Sequence, residues 1–196
     1  MGKILAVAVL AVVLFGTCAQ RNSLVSKDED VSEAWANVET AYQRRYDLIP
    51  NLVQVAKGSM DFERRTYVET AMARAGAAMQ SVEGKSISDL TPEQFQEFQA
   101  AQAALTGAIR AIQVTVEAYP QLRSVGNMRE LMAEIAGTEN RVAVARRDFN
   151  ERVRLLNTAV RRFPGNIVAG AFGIDRRDLF RADSGAAITP KVDIGR

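Results

Sequence analysis

Met128, Ile135, Val142, Phe149, Leu156 and Phe163 recur at strict seven-residue intervals. Leu131, Thr138, Ala145 and Ala159 form a companion seam that only Arg152 interrupts. A period of about 3.5 residues gathers apolar side chains on one stripe of an α-helix, and such a stripe has to be covered by other helices. Strands repeat every two residues and cannot satisfy it. A second series, Trp35, Tyr42, Ile49 and Ala56, keeps the same spacing, with Val31, Val38 and Leu52 on its adjoining seam. Any fold for this chain must lay two long stripes against apolar neighbours.

Punctuation divides the pattern. Ser26 and Glu29 have capping-box spacing, and Asp28, Glu29 and Asp30 suit the positive end of a helix dipole, so a helix is expected to start there. Pro50 is its sole interruption before the pattern fades near Gly84. Unbroken from Asp28 to Gln80, the rod would measure roughly 80 Å at 1.5 Å per residue. That exceeds a compact small domain, so the helix bends, splits at Pro50 or elsewhere, or projects. After the loop EGKSISDL, Thr91-Pro92-Glu93-Gln94 combines a cap, a proline at the first helical position and a capping-box partner. Phe95, Phe98, Ala101, Leu105, Ile109, Ile112 and Val116 form the stripe, and Pro120 ends it. Asn127 is the expected cap of the last long helix, and Pro164-Gly165 its stop. The reading is all-α: a long antiparallel bundle of three to four helices with an N-terminal membrane anchor.

The anchor rests on Lys3 followed by ILAVAVLAVVLF, residues 4–15, and then Gly16, Thr17 and Cys18. A basic start, a short apolar run and small residues behind it match a secretory signal. A spanning helix needs about 20 apolar residues; residues 4–19 supply fewer, so the segment is either a short retained helix or a processed leader. FGTC resembles a bacterial lipobox, making Cys18 a lipidation candidate, although Phe15 and Thr17 depart from its usual residues. Lys3 before the run, against Asp28, Glu29, Asp30 and Glu33 after it, places the domain outside the cytoplasm or in the periplasm. The expected organisation is an anchor or lipoprotein-type signal over 1–21, a bundle over 22–163, and an apolar element and tail over 164–196. Ile167, Val168, Ala171, Phe172 and Ile174 either cap the open end of the bundle or form an interface. Residues 182–196 are expected to be poorly ordered unless a neighbour holds them.

The chain has 196 residues with no histidine and one cysteine. That removes the usual neutral-pH base, the commonest transition-metal ligand and both histidine-paired nucleophiles. Di-metal bundles use Glu-x-x-His, so Glu33, Glu39, Glu117, Glu130, Glu134 and Glu139 read as solvated or paired charges. There is no P-loop and no nucleophile elbow. A net charge of +2 without basic runs interleaved with aromatics argues against nucleic acid. No catalytic residue, cofactor or metal ligand is assigned.

Two charged clusters remain. One is Gln43, Arg44, Arg45, Asp47 and Asn51 around Pro50; the other is Glu139, Asn140, Arg141, Arg146, Arg147, Asp148 and Asn150. Pro50 leaves the Tyr46 carbonyl without its helical donor, which a nearby Arg or Asn could supply. A polar network fixing helix register is the plainest reading; anion or headgroup binding and a partner-protein site are the alternatives.

These clusters also carry a resemblance. NSLVSKDEDVSEAWANVETAYQRRYDLIPNLV, the AYP at 118–120, AGTENRVAVARRDFN, and FPGNIVAGAFG followed by Phe180 resemble the LemA family of bacterial membrane proteins, in family order over residues 22–196. The resemblance implies a short membrane anchor and a helical bundle. It maps Asn22 to Leu24, Arg44 to Val53 and Thr138 to Arg141 onto family blocks. The expected function is a non-enzymatic envelope protein that self-associates as a scaffold or membrane-shaping element, because an anchored, heptad-bearing rod can pack laterally. The alternative is an adaptor for an envelope partner such as a membrane peptidase or sensor. The residues expected to carry structure and interaction are Trp35, Tyr42, Arg44, Arg45, Asp47, Pro50, Asn51, Glu139, Asn140, Arg146 and Arg147.

Overall fold

The computed structural model describes residues 2–124 and 128–181; for residues 6–9, 12, 13 and 123 the description is limited to the backbone. The first helix, α1, spans Gly2–Ala56 without a break. It therefore does not begin at Ser26. No proline lies between residues 2 and 49, and the carbonyls upstream of Ser26 already receive the N–H groups that a cap would serve. Pro50 does not split it either: the residue is exposed on the solvent face inside α1, where the loss of one backbone bond leaves the helix continuous.

The chain reverses eight to eleven residues later. A short 3-10 turn covers Lys57–Ser59, and Met60 takes an extended conformation (φ −88°, ψ 139°) with its side chain in the core. Asp61 then caps α2, Phe62–Val82, accepting the Arg64 backbone N–H at 2.7 Å. The stretch from Asp28 to Gln80 is thus two antiparallel helices, split beyond Pro50, one of the alternatives that its length left open. Helix α3, Pro92–Ala118, opens on the Thr91–Gln94 capping box and stops before Pro120, as its sequence predicts. A 3-10 turn over Pro120–Ser124 leads towards α4, Met128–Arg161. The expected cap Asn127 and the expected loose end 182–196 lie outside the described residues.

The four long helices form an antiparallel bundle in which α1 runs along α4 and α2 along α3. Trp35, Tyr42, Ile49 and Ala56 of α1 are buried, as are Met128, Ile135, Val142, Phe149 and Leu156 of α4. Phe163 breaks the series and is 79% exposed. Ideal helices drift by roughly 20° per heptad from a seven-residue repeat, about 100° over five heptads. The drift is visible earlier, where Arg152 faces solvent and Val153 takes its place in the core. Past Arg161 there is no helix left to carry the stripe.

Helix α5, Gly165–Phe172, closes the end of the bundle by packing Val168 and Ala169 on Leu24. Gly165 is required at this corner, because a β-carbon there would collide with the Ala159 carbonyl. Gly173, at φ +67°, ends α5 in the left-handed conformation that glycine adopts without cost. The chain then runs extended along α4. Asn157 accepts the Arg177 backbone N–H and donates to its carbonyl, both at 2.9 Å. Asn150 does the same for Phe180, at 2.9 and 3.0 Å. Seven helical residues rise about 10.5 Å, and three extended residues cover about 10 Å, so the two clips stay in register.

Candidate functional site

Arg45 falls on the α1 seam that contains Val31, Val38 and Leu52, so a guanidinium occupies a core position. It is 1% exposed. One terminal nitrogen donates to Thr106 Oγ1 (3.0 Å) and to Glu139 Oε1 (2.9 Å). The other donates to the Gln102 carbonyl (3.1 Å) and to Gln102 Oε1 (2.7 Å). The charge also lies 4.9 Å from the Tyr42 ring centroid. Four of its five N–H donors are thereby met, which is what keeps a buried charge tolerable. Arg45 Nε and Gln102 Nε2 are buried without an acceptor among the described residues.

This polar layer divides the apolar core. On one side Trp35, Tyr42, Phe95, Phe98, Phe149 and Phe180 form an aromatic cluster; on the other Ile49, Leu52, Leu105, Ile109 and Ile135 pack as aliphatics. Because the layer draws Arg45 from α1, Gln102 and Thr106 from α3 and Glu139 from α4, sliding any of these helices by one turn strands a buried charge. The layer therefore fixes register, the role best attested for buried polar groups.

The remaining sequence candidates disperse. Trp35 is core, ringed by Phe98 at 5.4 Å, Phe95 at 5.8 Å and Phe149 at 5.9 Å between centroids. Tyr42 meets Phe98 edge-on at 5.3 Å. Arg44 reaches across to Glu134 at 3.2 Å on the surface, and Asp47 accepts from Gln43 at 2.7 Å. The arginines beside Pro50 are thus committed elsewhere, rather than to the carbonyl the proline frees. Pro50, Asn51 and Asn140 face solvent, and among the described residues Arg147 pairs with its exposed neighbour Asp148 alone. Arg146 lies over Phe180 at 5.1 Å and donates to the Arg181 carbonyl at 2.7 Å. Cys18 is exposed.

Gln102, Thr106 and the tail clips Asn150 and Asn157 are the functional contributors that periodicity did not single out. Arg45 had a readable signal, its seven-residue interval from Val38 and Leu52. Gln102 had none, since a glutamine next to Ala101 on a helix is ordinary until an arginine faces it.

A second concave feature lies between α1 and α2, a groove of about 770 Å3 lined by Glu39, Gln43, Arg44, Asp47, Met79 and Glu83, among others. Burial raises the Glu39 carboxyl to about 7, with the negative charge of Glu83 adding to the effect. Among the described residues no three His, Cys, Asp or Glu side chains converge as metal ligands would.

Comparison with known proteins places this geometry in a family context. The LemA family profile matches residues 34–194, which include the polar layer, the aromatic cluster and both tail clips. Magnetosome proteins MamQ 1 and MamQ 2 of Paramagnetospirillum magneticum are each 26% identical over 210 aligned positions, covering 96% of this chain and 76% of the relative. Magnetosome protein MamQ of Magnetospirillum gryphiswaldense is 24% identical over 208 positions, with the same coverage.

Proposed function

This chain belongs to the LemA family, and on that premise we propose that it is a non-enzymatic, membrane-anchored envelope protein that self-associates at the membrane surface. One observation carries the reading. Helix α1 presents Ile4, Leu5, Leu10, Leu14 and Phe15 at 59% to 80% exposure and continues unbroken into the bundle. An apolar helical face outside its own core calls for lipid or for other copies of itself.

Among the described residues no helix is long and apolar enough to cross a membrane. Membrane attachment therefore takes one of two forms, insertion of residues 4–15 with local bilayer thinning, or a lipid on the exposed Cys18 with the residues before it removed. The end of the bundle supports the membrane reading. Gly165 sits against Gln20, and beside it Phe163, Ile167 and Phe172 are 79%, 62% and 50% exposed next to Arg161 and Arg162. Exposed apolar residues flanked by arginine suit a headgroup boundary. The charge difference across residues 4–15 favours a domain outside the cytoplasm. Relatives named as magnetosome proteins favour a structural component over a catalyst.

The heptad seams do not supply the self-contact, because α1 and α4 bury them against each other. Self-association instead falls to the 4–15 segment. The α1–α2 groove favours the second reading, an adaptor that seats part of an envelope partner.

Cross-linking and copy-number measurement on the full-length chain in native membrane discs tests both. Homo-oligomers that Leu10→Asp with Leu14→Asp abolishes would support the scaffold. A stoichiometric different protein favours the adaptor, and single copies alone remove self-association. Mass spectrometry of the native N-terminus reports whether Cys18 carries lipid.

A further inference from the structure

The flank of the bundle between α1, α3 and α4, closed on one side by the tail, holds a cavity of about 220 Å3. Arg45 and Gln102 form its floor, and Arg110, Arg146 and Arg181 its rim. Glu139 is the one carboxylate among its lining residues, and Arg45 already holds it at 2.9 Å. That pair is neutral, so three arginines remain without a carboxylate among the described residues. Arg110 makes no hydrogen bond or ion pair with any described residue, and the Arg181 guanidinium makes none either. Arg146 donates only to a backbone carbonyl and stacks on Phe180.

The floor adds a second, independent observation. Arg45 Nε and Gln102 Nε2 lie on residues 1% and 2% exposed, and neither has an acceptor among the described residues. Buried donors without acceptors are rare in native folds, because each forfeits its hydration without replacement. Both residues belong to the lining of the cationic-rimmed cavity, although the two atoms themselves carry almost no accessible surface. What the rim lacks is a compact group rich in acceptor oxygens and negative charge.

We propose that this cavity binds a small oxyanion of the phosphate class. Planar guanidinium forks match phosphate oxygens, and donors arriving from three elements suit a tetrahedral anion better than a flat carboxylate. Drug-sized ligands occupy roughly 300–1,000 Å3, so this smaller space takes inorganic phosphate, a phosphomonoester or the head of a larger molecule. Thirty helical residues separate Phe15 from Arg45, a rise of about 45 Å. The headgroups around residues 4–15 do not reach that height on an upright bundle, which favours a free anion over a lipid.

The full-length chain in uncharged detergent, titrated calorimetrically with inorganic phosphate and with pyrophosphate, should show saturable one-to-one binding. Acetate at equal concentration should not bind comparably. Arg110→Glu with Arg181→Glu, both at exposed positions, should weaken binding at least tenfold with an unchanged circular dichroism spectrum. Should the reversal impair folding, Arg110→Gln alone should weaken binding severalfold. Arg129→Glu, near the opposite end of the bundle, should leave it unaltered. Flotation with phosphatidic acid vesicles, against phosphatidylcholine vesicles, separates the sources. Retention that depends on Arg110 and Arg181 assigns the site to a headgroup, and its absence beside phosphate binding assigns it to a free anion. No saturable binding in any arm, equal binding of acetate, or binding indifferent to the double substitution overturns the proposal.

Discussion

Asn150 holds Phe180 by both of its backbone groups, through bonds of 2.9 and 3.0 Å, and so aims the Phe180 ring into the aromatic half of the core. Phe180 then stands 5.0 Å from Phe95 and 5.3 Å from Phe149 between centroids. A residue far along the tail thereby becomes part of the centre, and closes one wall of the arginine-rimmed cavity.

Phe180→Ala should therefore act as a core truncation, costing about 3–5 kcal/mol in chemical denaturation. Asn150→Ala should cost less, about 1–3 kcal/mol for two hydrogen bonds, while freeing the Phe180 amide to exchange. A tail that contributed nothing to the core would leave both variants as stable as the parent.

Removing Arg45 tests the polar layer. Arg45→Ala should destabilise by about 3 kcal/mol, near the lower end for breaking a buried pair, because Glu139 keeps partial access to water. Arg45→Met combined with Glu139→Gln should recover much of that loss, since no unpaired charge is left behind. A double-mutant cycle measures the coupling, and additive losses would show that the pair does not act as a unit.

Pro50→Ala should stabilise the protein by about 1–3 kcal/mol, because an exposed position inside α1 regains a backbone bond and a good helix former. Thermal denaturation reports it. A loss of stability would mean that the bundle depends on the local geometry of the proline.

Glu39 makes stability depend on pH. Its folded pKa is raised to about 7, above an unfolded value near 4.3, so the folded state binds its proton more tightly. The resulting stabilisation is complete below about pH 4.3 and is lost as pH rises through 7. Glu39→Gln should remove that dependence and raise the melting temperature at pH 8 by about 2–4 °C, the size expected for about 1 kcal/mol in a domain of this length. The figure is kept low because water screens a half-exposed carboxylate. Identical melting at pH 8 for the two proteins would exclude a perturbed Glu39.

Local signals were the legible ones. The seven-residue series, the Thr91–Gln94 capping box and the stop before Pro120 depend on neighbours within a few positions, and the chain states them directly. The family blocks around Arg44–Val53 and Thr138–Arg141 pointed to LemA, and the polar layer draws on both. Of the two places left open for the split, Pro50 or elsewhere, the chain takes the second, since a single lost bond on a solvent face is weaker than the packing of Ile49 and Leu52 on either side of it.

By itself, then, the sequence determined that the chain is a set of long amphipathic helices preceded by an apolar stretch, because helical period and capping are short-range properties. Only the tertiary structure decided that the turn falls at Gly58–Asp61, and that Arg45 meets Gln102 and Glu139. It also decided that Phe180 returns to the core beside them. Those contacts join residues 30 to 94 positions apart, and burial of charge and of aromatic surface acquires its energy only when distant helices close on one another.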